Sequence, residues 1–240
     1  MVRGSQGRAE GRPRARQLPG RLRSEPVSQA IHHGASADQA RTVCVFVHGR
    51  GQTPEQMVET VLPRLDAAGV SFRLPRSPGE AWYDARAIDP LNGQTSAQVS
   101  KALDIIADEM ERARRDCPGM PVVLAGFSQG ACLTVEYLMR GGRADAAAIL
   151  TGCRVGGEED DLPRAALGGM PVYASCGDDD PWIPLPAFQR VLADIAASGA
   201  RLRADIIPGR GHEVDAEECE AFSRLLAAVA ASGRALERTQ

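Results

Sequence analysis

The 240-residue chain predicts an α/β fold: a mostly parallel central sheet with helices on both faces. Three observations carry this. Six short apolar runs recur along the chain, helical patterns separate them, and the links between are short. Strands that alternate with helices through short links form parallel sheets covered on both sides, and unbroken rather than alternating apolar runs fit such doubly buried strands.

In chain order, the first run is TVCVFVHG (42–49), ending in glycine. A helix is predicted over 54–66, with Met57, Val58, Val61, Leu62 and Leu65 on one face. VSFRLP (70–75) is the next strand, followed by a helix over 97–117 carrying Val99, Leu103, Ile106 and Met110 at helical spacing. MPVVLAGFS (120–128) runs directly into a helix over 128–140. AAAIL (146–150) and MPVYASCG (170–177) are strands, a helix covers 186–198, LRADIIPG (202–209) is a strand, and the last helix covers 215–232. Asp215 with Glu218 fits a reciprocal cap at that helix's start.

Residues 1–40 read differently. They hold seven arginines against three acids, a net +4, and leave −7 on the remainder. They show no hydrophobic period and no apolar segment of a secretion signal, so they are expected to be a disordered Arg-rich extension, with the folded domain over 41–233 and a short disordered tail over 234–240. A basic arm for RNA or anionic membrane is the functional alternative for the extension.

Composition excludes several classes. The formal charge of −3 gives no electrostatic case for nucleic acid as the main partner. No apolar run reaches the roughly 18–20 residues that span a bilayer. Cys44, Cys117, Cys132, Cys153, Cys176 and Cys219 include no CxxC pair, and His32, His33, His48 and His212 add no ligand spacing, so no metal is expected. Scattered buried thiols in a reducing cytoplasm are the expectation.

In parallel sheets reactive groups gather beyond the carboxyl ends of strands. There the chain carries Gly126-Phe127-Ser128-Gln129-Gly130, a G-x-S-x-G turn between strand and helix, with Ser128 as candidate nucleophile. A serine hydroxyl needs a base. His212, just past the last strand in Gly209-Arg210-Gly211-His212, is the candidate. An acid should follow an intervening strand, and Asp178, Asp179 and Asp180 all qualify. Asp180 is preferred because it precedes Pro181-Trp182-Ile183-Pro184, and its role is to hold the imidazole tautomer. Candidate oxyanion donors are the main-chain N–H of Gln129 and of Arg50, the latter in His48-Gly49-Arg50-Gly51-Gln52. Trp82 is expected to line the substrate pocket, with core packing as its alternative.

With HGRG, GFSQG, GDDDPWIP and GRGH in this order, the sequence resembles the α/β-hydrolase superfamily, and more narrowly the phospholipase/carboxylesterase family that includes acyl-protein thioesterases. GFSQGA, Ala81-Trp82-Tyr83-Asp84 and the DPWIP segment, similar to that family's D-x-V-V-P, narrow it further. The resemblance covers about residues 42–232. It implies a Ser128–Asp180–His212 triad, donors at Arg50 and Gln129, no cofactor, and a monomer or homodimer acting on a small acyl ester or thioester of short to medium length. Lactone, amide or peptide hydrolysis, or a non-catalytic binding fold, are the alternatives. The chain departs from the family in Ser175-Cys176-Gly177, where HG is frequent, and in the bulkier Trp182 and Ile183, which place Trp182 at the pocket wall. It departs again in RVGGEEDD (154–161), charged where an apolar acyl groove is expected.

Overall fold

The computed structural model describes residues 30–232. Seven strands form one sheet: β1 (Ile31–Gly34), β2 (Thr42–Val47), β3 (Val70–Leu74), β4 (Val122–Phe127), β5 (Ala146–Leu150), β6 (Pro171–Gly177) and β7 (Arg201–Ile207). Their spatial order is β1-β3-β2-β4-β5-β6-β7. β1 pairs antiparallel with β3, and every other pairing is parallel. Among the described residues five helices cover it: α1 (Pro54–Thr60), α2 (Gly93–Asp116), α3 (Gln129–Met139), α4 (Leu185–Ala197) and α5 (Ala216–Ser232). This is the α/β-hydrolase architecture.

The apolar runs are unbroken because both sheet faces are covered. Val43, Val45 and Val47 of β2 pack with α2, α3 and α4, while Cys44 and Phe46 point the other way, toward α1 and α5. β4 divides likewise, Val122 and Leu124 to one side, Val123, Ala125 and Phe127 to the other. Two apolar layers therefore clamp the central strands, and the ends of β2 and β4 become a rigid base for loops.

Several boundaries differ from the sequence expectation, each for a local reason. The first helix stops at Thr60 and continues as a short 3-10 turn over Leu62–Arg64, because Pro63 has no N–H to extend the α pattern. α2 begins at Gly93 because the Asn92 side chain accepts from Thr95 N–H at 2.9 Å. The cap at α5 forms as expected: Asp215 N–H donates to Glu218 at 2.9 Å and Glu218 N–H to Asp215 at 2.8 Å. β1 lies inside the stretch assigned to a disordered extension, so the fold starts about ten residues earlier than 41. His32 and His33 stand exposed on it. A four-residue edge strand with one side open needs no hydrophobic period, which is why composition did not reveal it. The rest of that extension, residues 1–29, and the 234–240 tail lie outside the described residues.

The charged stretch after β5 also has a definite place. Arg154 is 2% exposed. It donates to Glu136 of α3 at 2.8 Å, to Asp194 of α4 at 2.5 Å and to Pro163 O at 2.8 Å. Arg190 of α4 reaches Gly157 O and Asp160 O, and Asp160 accepts from Leu91 N–H at 2.6 Å. The segment is thus an ion-paired strut joining α3, α4 and the loop before α2. Among the described residues no helix is long and apolar enough to cross a membrane.

Removing Arg154 strips two buried carboxylates of their buried partner and leaves Glu136 only the partly exposed Arg140 at 3.4 Å and Asp194 only the exposed Arg164 at 2.7 Å. Arg154→Met is expected to cost about 3–5 kcal/mol of stability, read from urea unfolding monitored by circular dichroism; a loss under about 1 kcal/mol would refute the strut.

Candidate active site

The chain passes from β2 outward to β3 and returns across β2 to β4, so the order reverses between β2 and β4. Crevices open at such reversals beyond the strands' carboxyl ends. The loop after β2 and the turn after β4 therefore meet.

Ser128 sits on that turn with φ 55° and ψ −121°, a left-handed conformation strained for a residue with a side chain. Its neighbours must be glycine. A Cβ on Gly126 would lie 2.4 Å from the carbonyl of Gly130, and one on Gly130 would lie 2.0 Å from Val47 O. Ser128 N–H donates to Leu150 O at 3.0 Å and Cys132 N–H to Ser128 O at 3.0 Å, which pins the turn between β5 and α3.

His212 Nε2 lies 2.8 Å from Ser128 Oγ, and its Nδ1 lies 2.8 Å from Asp180 Oδ2. The other oxygen of Asp180 accepts from Trp182 N–H and Ile183 N–H, each at 2.8 Å. With both oxygens accepting, Asp180 accepts the hydrogen bond from Nδ1–H, which fixes the tautomer that turns the Nε2 lone pair toward the serine hydroxyl. The three neighbouring acids are now distinguished. Asp178 accepts from Gly209 N–H at 2.6 Å, and Asp179 N–H donates to Arg210 O at 3.2 Å, so both brace the loop that carries His212.

That loop has a second anchor. Arg210 is buried, donating to Glu218 at 2.7 Å, to Thr151 Oγ1 at 2.9 Å and to Glu213 O. Ser175 also donates to Glu218. Burial pushes the Glu218 carboxyl up, against the downward pull of Ser175 and Arg210. The Ser175–Glu218 pair spans 43 positions, so no local signal exposed this network.

Around the loop after β2, Gly49 N–H donates to Gln52 Oε1 at 2.9 Å and Gly51 N–H to Glu80 O at 2.7 Å. Among the described residues the main-chain N–H groups of Arg50 and Gln129 have no protein acceptor. Their side chains converge. Gln129 accepts from Trp82 N–H and donates to Tyr83 O, both at 2.8 Å. Arg50 donates to Tyr83 O at 3.0 Å, Asp84 O at 3.0 Å and Ala85 O at 2.6 Å. One carbonyl, Tyr83 O, thus ties together the two loops that carry the candidate donors. Sequence reading picked both residues for their main chains and missed both side chains.

His48 supports the same loop. Its Nδ1 lies 2.8 Å from Gly49 O and its Nε2 accepts from Ser77 N–H at 3.2 Å, a pairing that needs the neutral Nδ1–H tautomer. Burial holds its pKa below the ordinary 6.5. Of the two roles expected for Trp82, its burial favours packing: it is 3% exposed, donates to His48 O at 2.9 Å and lies near the His48 ring at 5.0 Å. It supports the loop from beneath. Trp182 is 67% exposed, beside the acid. Among the described residues no group of three or more His, Cys, Asp and Glu could hold a metal ion.

A family model described as phospholipase/carboxylesterase matches residues 30–230. No curated protein matches. Among solved structures, a phospholipase/carboxylesterase from Dyadobacter fermentans is similar at 25% identity with a TM-score of 0.75, over 83% of this chain and 96% of that one. A Bacillus cereus carboxylesterase superposes with a TM-score of 0.68 at 16% identity, over 85% and 95%. Esterase PE8 does so with 0.67 at 20%, over 83% and 98%.

The His48 environment sets a pH dependence. Its folded pKa lies below the unfolded value, so the unfolded chain binds the extra proton first and stability falls as pH drops through 6.5. Urea midpoints of wild type and His48→Gln between about pH 7.5 and 5.5 are expected to fall more steeply for wild type; parallel curves would remove His48 from the account.

Proposed function

This chain belongs to the phospholipase/carboxylesterase family of ester hydrolases, and we propose that it works through an acyl-enzyme on Ser128. The observation that carries the reading is the unbroken chain from Asp180 through His212 to Ser128, with both hydrogen-bonding distances at 2.8 Å. Ser128 Oγ attacks the acyl carbon while His212 Nε2 takes its proton. Asp180 steadies the imidazolium that results. The carbonyl oxygen becomes an oxyanion, met by the N–H groups of Arg50 and Gln129. His212 then gives the proton to the leaving alcohol or thiol. Water, deprotonated by the same imidazole, attacks the acyl-enzyme and releases the acid and free Ser128.

The substrate class we infer is an ester or thioester with a short to medium acyl chain. The ion-paired strut around Arg154 supports this, since it occupies with charge the segment after β5 that the resemblance would assign to an apolar groove. Trp182, exposed beside Asp180, is the apolar surface we assign to substrate contact. The six cysteines, all buried free thiols, support a reducing cytoplasmic setting.

Ser128→Ala is expected to lower kcat for p-nitrophenyl acetate and butyrate by at least about 10⁴-fold and to abolish fluorophosphonate labelling; full retained turnover would reject the mechanism. A C2 to C12 ester series should peak below about C8, the outcome expected where a charged segment after β5 stands in place of an apolar groove. Arg50→Met keeps the main-chain donor but cuts its tie to Tyr83, and is expected to lower kcat about 10–100-fold with little change in KM, because the donor acts on charge present only in the transition state. Arg50→Lys should recover part of that loss.

A further inference from the structure

β7 is the last strand of the sheet, and among the described residues β6 is its one strand neighbour. The bonds at its ends show which way its main chain faces. Arg201 N–H donates to Met170 O at 2.9 Å, and Ile207 O accepts from Asp178 N–H at 3.3 Å, both on the β6 side. Main-chain polar groups alternate along a strand. Arg201, Arg203, Asp205 and Ile207 therefore turn theirs to β6, and Leu202, Ala204 and Ile206 turn theirs outward. The side chains alternate too. Arg203 lies over the Tyr173 ring at 5.4 Å and pairs with Asp205 at 2.8 Å, which puts both on the α5 face. There they border an open hollow with Glu217, Glu220 and Arg224. Leu202, Ala204 and Ile206 take the opposite face, and Ile206 is 42% exposed.

We propose that this edge is a homodimer interface, in which a second copy of the chain adds its own β7 antiparallel, centred on Ala204. The two seven-stranded sheets then become one continuous sheet. Charge selects the register. Outward groups meet outward groups when the two-fold axis passes through residue 203, 204 or 205. An axis at Arg203 sets Arg203 against the partner's Arg203, and its flanking Arg201–Asp205 pairs come with that repulsion on the axis. An axis at Asp205 sets two carboxylates together. An axis at Ala204 places Arg203 opposite the partner's Asp205 twice, with Leu202 opposite the partner's Ile206 on the other face. These charged pairs fall at positions without main-chain bonds between them, where side chains approach closest. The outward groups of Leu202, Ala204 and Ile206 form about six main-chain hydrogen bonds in that register. The tripeptide Arg203-Ala204-Asp205 is thus self-complementary about its centre, and the exposed Ile206 gains an apolar partner. A short edge with charges also serves to repel strangers; opposite charges placed symmetrically about a small residue admit an identical copy.

The test is sedimentation of the full-length chain from about 5 to 100 μM, a range suited to an interface of modest area. The expected species has twice the 25.5 kDa chain mass. Asp205→Arg sets arginines opposite each other and should weaken association at least about tenfold, and Arg203→Asp with Asp205→Arg should restore it. Ala204→Pro removes an N–H that points away from β6, so the fold survives while the dimer is lost. Esterase activity and circular dichroism verify folding of each variant, and Ala204→Pro carries the test alone if Asp205→Arg unfolds. A monomeric wild type at 100 μM, or a folded Ala204→Pro that dimerises like wild type, would overturn the proposal.

Discussion

The turn at Ser128 requires the backbone of α3 to press against the carbonyl end of β2, with no room for a side chain at Gly130 beside Val47 O. This close approach organises everything else in the crevice. It brings the loop after β2 alongside the nucleophile, so that a Cβ on Gly49 would lie 3.1 Å from the Ser128 Cβ. The left-handed strain at Ser128 persists because β4, buried on both faces, cannot shift to relieve it. The apolar layers supply the rigidity and the turn concentrates it at one hydroxyl.

The loop that carries His212 is held by polar groups on neighbouring elements. Arg210 and Glu218 brace the histidine loop from below, and Asp178 and Asp179 brace it from the acid's own loop. The Arg210–Glu218 network is buried, where losing one partner leaves a costly unpaired group, while the Asp178 and Asp179 contacts lie at the surface. The loops are thereby prevented from drifting, which matters because a displacement of about 1 Å can cost a hundredfold in rate.

Much of this was legible in the sequence, for a physical reason. The β2 and β4 runs had to be continuous because both faces are buried, and the glycines at 126 and 130 had to flank the serine because sterics permit nothing else. The same steric economy made Ser128, Asp180 and His212 visible through their positions after strands. What was not legible depends on distance along the chain. Arg154 reaches Asp194 across 40 positions, and Arg50 reaches Tyr83 across 33. No periodicity encodes such pairings. Trp82 kept two roles open because an aromatic in a loop near a site looks alike whether it faces ligand or supports a histidine. β1 was missed because four residues with an open face carry too little pattern to rise above a polar, arginine-rich background.

The convergence on Tyr83 O has a further consequence for the oxyanion site proposed at Arg50 and Gln129. In the loop after β2 the N–H groups of Gly49 and Gly51 are already spent on Gln52 and Glu80, which leaves the Arg50 N–H as that loop's open donor. Gln129, as the first residue of α3, has an open N–H by helix geometry. Were the two loops independent, the spacing of these donors would fluctuate and the developing charge would have to organise them. Because both side chains grip one carbonyl, the spacing is set when the protein folds. The cost of ordering two polar groups is then met before substrate arrives, and the interaction with the oxyanion is available in full at the transition state. A cation also stands beside this loop, and one nitrogen of its guanidinium, Nη2, is directed at the carbonyls of residues 83–85, so the charge ties two loops together as well as lying near the site.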